Sequence, residues 1–173
     1  MTSDSKQLPT LGLWCRNAVE WLDKISMVII VVTMGAMATM VALQVFWRYV
    51  LGSSIDSADE LSRLFFIWAM FLAIPQGVKY SVHVGIDLIV GAFNRKMQDI
   101  VFRIGAAAGV VLMAVVFYAA LISTIDKWPQ LMPTLPITAS IYYIAVLISS
   151  AHSFLHLALH AWMGQAVWEG RRL

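Results

Sequence analysis

The run ISMVIIVVTMGAMATMVALQVFW, Ile25 to Trp47, holds 23 residues without a formal charge. About 20 apolar helical residues cross a hydrocarbon core of about 30 Å, so this run predicts a membrane span and makes lipid the solvent for the chain. Ala36-Met37-Ala38 imitates a signal-cleavage site. The uncharged run is longer than a secretory core and continues past Ala38, which predicts an uncleaved helix. Leu64–Val78, Ile104–Ile125 and Ile137–Trp168 are also uncharged, over 15, 22 and 32 residues. Composition agrees: 60% apolar, 13% charged and mean hydropathy +0.77 over 173 residues leave too little polar surface for a water-soluble domain.

The expectation is therefore an all-α integral membrane protein, one domain over residues 1–173, with spans at about 25–47, 61–80, 104–125 and 137–162. The second span reaches full length only if Arg63 and Lys79 extend their head groups to opposite interfaces. The fourth run exceeds a span and must tilt or project into water. Residues 1–24 form an amphipathic N-terminal segment, in which Trp14, Ala18, Trp21, Leu22 and Ile25 follow helical spacing and Arg16, Glu20, Asp23 and Lys24 lie elsewhere on the wheel. Residues 83–103 form a cytoplasmic connection with an interfacial helix, striped by Ile86, Ile89, Val90, Phe93 and Met97. Each stripe also fits a plain extension of the neighbouring span. Nine of the 12 Lys and Arg fall on the side of the termini and the middle connection, which predicts that both termini face the cytoplasm.

Composition also excludes. A single cysteine, Cys15, makes no internal disulfide, and a net charge of +2 without a dense basic cluster gives no footprint for nucleic acid. Ion and solute paths are usually marked by ionisable residues facing a cavity near the bilayer midplane. The middles of these spans contain no Asp, Glu, Lys or Arg, which predicts a non-catalytic, cofactor-free scaffold. His152, His156 and His160 in HSFLHLALH share one helix face. With no carboxylate or cysteine on that helix before Glu169, and only His83 elsewhere, interhelical hydrogen bonding is the expected role; metal, proton chemistry or haem are the alternatives. Small residues that permit close helix approach occur in GAAAG, Gly105–Gly109, and at Gly35, Ala38 and Ala42. Pro75 interrupts the second span.

The connection FWRYVLGSSIDSADELSRLFF, residues 46–66, carries Arg48, Asp56, Asp59, Glu60 and Arg63. Ser57-Ala58-Asp59-Glu60 fits a capping box, in which the Glu60 side chain returns to the serine amide. Asp59 and Arg63 are four apart and can pair, and Arg48 can reach Glu60 or Asp56 across the hairpin.

Taken in order, FWRY (Phe46–Tyr49), DELSR (Asp59–Arg63), FFIWAMFLA (Phe65–Ala73), HVGID (His83–Asp87) and PTLPI (Pro133–Ile137) resemble the small membrane subunit of tripartite ATP-independent periplasmic (TRAP) transporters, the DctQ-like family. Asp59 stands where a second glutamate is usual, and Asp56 where an aromatic is common. The resemblance implies a bacterial inner-membrane subunit that packs on a large membrane subunit and enlarges the static scaffold of an elevator. That larger subunit moves an organic acid, such as a C4-dicarboxylate or sialic acid, on a sodium gradient after delivery by a periplasmic binding protein. Arg48, Glu60, Arg63 and Asp87 would then hold helix ends and the partner interface, with membrane lipids around them. Asp56, Lys127 and Trp128 would mark the loops that meet the binding protein. The competing expectation is a haem-binding membrane anchor of a respiratory enzyme.

Overall fold

The computed structural model describes residues 10–80 and 95–163. Within them lie four helices: α1 (Thr10–Val50), α2 (Ala58–Tyr80), α3 (Arg95–Asp126) and α4 (Ser140–Met163). All four are long and apolar enough to cross a membrane, over Val19–Val50, Ala58–Lys79, Ile100–Asp126 and Ser140–Leu159. The last begins three residues later than the apolar run suggested. Residues 127–139 instead form a compact loop, closed by Met132 N donating to Ile137 O at 2.9 Å and Ala139 N to Gln130 O at 2.7 Å.

The amphipathic stretch before Ile25 is no separate segment, because α1 runs unbroken through it for 41 residues, about 60 Å at 1.5 Å per residue. Its sidedness is also the reverse of a surface-lying helix packed on the protein. Trp21 is 67% exposed and Leu22 and Ile25 are exposed, whereas Val19, Asp23 and Ser26 are buried. Lipid, not the protein, receives the apolar side. Of the charged residues on the wheel, Asp23 packs inward together with Ser26 while Lys24 stays exposed, and a buried carboxylate requires polar partners on the neighbouring helices. Residues 95–103 likewise continue straight into α3, and the rest of the 83–103 connection, with His83 and Asp87, lies outside the described residues.

Packing runs α1 on α2, α2 on α4 and α4 on α3, with α1 touching α4 only slightly. The helices therefore stand in a row, α2 and α4 inside, α1 and α3 at the flanks. The flanks stay largely uncovered: Val28, Val31, Val32 and Val45 on α1 and Val111, Leu112, Val115 and Ile122 on α3 are exposed. At the α3–α4 seam only Gly109 of the GxxxG pair is used. A Cβ there would sit 3.0 Å from Leu157 Cδ1, while one on Gly105 would meet nothing within 4 Å.

Pro75 explains the α2–α4 seam. A proline at position i has no N–H to give the carbonyl at i−4, which here is Phe71. In hydrocarbon that orphan acceptor must find another donor. Ser149 of α4 supplies it, its Oγ donating to Phe71 O at 2.6 Å. Trp68 Nε1 donates across the same seam to Ile141 O at 3.2 Å.

Candidate functional site

Each of three helices contributes a pair of polar residues at helical spacing to one buried cluster. They are Asp23 and Ser26 on α1, Gln76 and Lys79 on α2, and His152 and His156 on α4. Spacings of three or four bring the members of each pair to one helix face. Asp23 is the centre. Its Oδ1 lies 3.0 Å from His152 Nε2 and 2.8 Å from His156 Nε2, and its Oδ2 lies 2.6 Å from Lys79 Nζ. Gln76 Nε2 donates to the Asp23 backbone oxygen at 3.0 Å. Asp23, His152 and His156 are only 3%, 5% and 2% exposed.

An ionised carboxylate only accepts, so this geometry assigns the proton of each imidazole to Nε2. His152 Nδ1 is then an acceptor for Ser26 Oγ, 3.4 Å away. The Asp23 charge is compensated by Lys79 and by two N–H donors, the condition under which a buried ion can be tolerated. One ligand atom from each of Asp23, His152 and His156, a carboxylate oxygen and a ring nitrogen of each histidine, lies within 4.8 Å of the others, a donor set that could hold a metal ion.

The histidine pair was visible in the sequence and does bond between helices. Asp23 was not: the wheel put it among solvent-facing charges, and its partners are 129 and 133 residues away. The carboxylate that α4 lacks comes from α1. The detectable signal was weak: Asp23 is the last acid before the apolar run, three residues ahead of Ser26. His160 as a side chain lies outside the described residues.

At the opposite end, the short connections carry the residues singled out from sequence. Glu60 does not return to Ser57. Its Oε2 accepts from Thr134 N at 3.0 Å and from Thr134 Oγ1, tying the start of α2 to the 127–139 loop. Asp59 accepts from Gln44 Nε2 at 2.8 Å rather than pairing with Arg63, and Asp56 from Ser54 Oγ at 3.3 Å. Arg48 and Arg63 are exposed and form no ion pair among the described residues. The chain turns instead on Gly52, whose φ of +66° suits glycine. Lys127 lies 3.6 Å from Asp126, and Trp128 is 61% exposed. Asp87 lies outside the described residues.

Four helices long and apolar enough to span, three of them joined near one end by a buried polar cluster, define a small multi-pass membrane protein. The family model for tripartite ATP-independent periplasmic transporters, DctQ component, matches residues 37–166, and the chain belongs to that family. A Haemophilus influenzae protein provisionally named TRAP transporter small permease protein is 26% identical over 143 residues, 83% of this chain and 87% of that protein. The Vibrio cholerae C4-dicarboxylate TRAP transporter small permease protein DctQ is 24% identical over 94 residues, 54% of this chain and 40% of that protein. The isethionate TRAP transporter permease protein DctMQ of Oleidesulfovibrio alaskensis is 27% identical over 138 residues, 75% of this chain and 22% of that protein.

The haem-anchor expectation is not favoured. His152 and His156 stand side by side on one helix, ring centroids 5.0 Å apart, and both are engaged by Asp23. Two axial haem ligands must approach the iron from opposite sides.

Proposed function

We propose that this chain braces a larger membrane subunit of a TRAP transporter and does not itself carry solute. The observation that carries this reading is the row of helices, uncharged through mid-span and apolar on both exposed flanks. Such flanks suit lipid on one side and an apolar partner on the other. The match to 22% of a longer permease supports the partnership, since there a segment like this chain is part of a much larger polypeptide. The larger subunit would bind an organic anion, drawn from carboxylates or a related acid, and move it on a sodium gradient as an elevator against the fixed scaffold. The names of the C4-dicarboxylate and isethionate relatives support that substrate class. Both termini would face the cytoplasm of a bacterial inner membrane, and the 51–57 and 127–139 connections, with Asp56, Lys127 and Trp128, would face the periplasmic binding protein.

Arg48 and Arg63, exposed and without an ion pair among the described residues, are the groups most available to the larger subunit, and Glu60 acts beside them through the loop it holds. Charge reversal at Arg48 should reduce co-purification of the two membrane subunits more than it reduces solute affinity of complexes that remain. An intact complex that has lost solute binding refutes the bracing role. Orientation is tested with a cysteine at Ser54 in a Cys15→Ser background: a membrane-impermeant maleimide should label it from the periplasm, and labelling only after the inner face is opened reverses the topology.

A further inference from the structure

We propose that Asp23, His152 and His156 form a site for one divalent transition-metal ion of the zinc class. The inference rests on geometry independent of the transport role. A tetrahedral ion with donors at about 2.0–2.2 Å holds those donors roughly 3.3 Å apart. The carboxylate oxygen already lies 3.0 and 2.8 Å from the two Nε2 atoms, and all three donors sit within 4.8 Å. The two carboxylate–imidazole distances therefore need to open by only a few tenths of an ångström, and the imidazole donors, already within 4.8 Å of each other, need to close on the ion by side-chain adjustment.

The surroundings also fit. Metal on Nε2 moves the ring proton of a neutral imidazole to Nδ1, with no net proton lost. For His152 that nitrogen faces Ser26 Oγ at 3.4 Å, which then accepts where it had donated. Ligating imidazoles usually give their second nitrogen to such a partner. Only Oδ1 takes part, because Oδ2 is occupied by Lys79 Nζ at 2.6 Å. Two imidazoles and one carboxylate select zinc, cobalt, nickel or copper over magnesium and calcium. Lys79 is the opposing element: its ammonium repels the ion, and it sets how tight the site is. A bound ion would reinforce the link that Asp23 already makes between the flank helix α1 and α4, whose backbones otherwise approach at few points.

The test uses the full chain without a polyhistidine tag, stripped with chelator in detergent or nanodiscs. Cobalt(II) titration should give visible ligand-field bands that saturate at one equivalent and vanish on adding zinc. His152→Gln combined with His156→Gln should abolish the bands. Lys79→Met should bind zinc at least tenfold more tightly than the native chain, which a site elsewhere on the surface would not show. Absence of a saturable equivalent in the native chain, or bands retained by the double variant, overturns the proposal. Should the double variant fail to fold, Lys79→Met decides: tighter zinc binding supports the site and unchanged binding overturns it.

Discussion

Ser149→Ala tests whether the Phe71 carbonyl is an orphan created by Pro75. The substitution removes the donor that lies 2.6 Å from that oxygen and leaves the acceptor buried between α2 and α4. An unsatisfied buried carbonyl costs about 1–3 kcal/mol. Side-chain hydrogen bonds inside membrane proteins average about 0.6 kcal/mol because the unfolded state also finds partners. Ser149 is almost fully buried and the oxygen has no helical N–H, so the expected loss is about 1.5 kcal/mol, roughly tenfold in the unfolding constant. The decisive arm repeats the change in a Pro75→Ala background. An alanine there restores the amide that reaches Phe71 O within α2, and the cost of Ser149→Ala should fall to about 0.5 kcal/mol or less. The double-mutant cycle subtracts the cavity left by the proline ring. Unfolding in mixed micelles, followed by near-ultraviolet circular dichroism, reads all four proteins. Equal losses in both backgrounds refute the argument.

Asp23→Asn keeps the shape but leaves Lys79 and two imidazoles without their anion; breaking a buried pair costs about 3–5 kcal/mol, and the partly exposed Lys79 lowers the expectation to about 2, read in the same unfolding assay. Gly109→Ala should destabilise the α3–α4 seam by about 1 kcal/mol as Leu157 is displaced, while Gly105→Ala should be neutral or slightly stabilising. Equal effects of the two would remove the packing asymmetry. Glu60→Ala should speed hydrogen exchange at the Thr134 amide severalfold without changing exchange in α4, since among the described residues that carboxylate supplies the hydrogen bonds between the loop and α2. Unchanged exchange would show that the loop holds itself.

The helices were legible because lipid leaves few options: an uncharged run long enough to span has to be helical, and each of the four runs became one. Their ends were less legible. At 137–139 the apolar Ile137 reads as span, yet its carbonyl closes the loop through Met132. The capping box at Ser57 and Glu60 failed for a similar reason, since the Thr134 amide and hydroxyl outcompete a local return. Thr134 lies 74 residues away, beyond any local pattern. The cluster was half legible. Spacing found His152 and His156, because four residues make one turn, but Asp23 declares itself only when α1 and α4 are brought together. On a helical wheel, Asp23 and the adjacent Lys24 look alike, and only the neighbours on α2 and α4 tell them apart.

Four rods in a line make a wall one rod thick, and a wall has no bore. Among the described residues α1, α2, α4 and α3 pack in that order as a single layer, so on the bracing role proposed above the route for solute would lie in a partner set against the broad side. What such a wall would add, on that same proposal, is width: a broader perimeter held by the bilayer, and a wider base that tilts less if a neighbour slides along it.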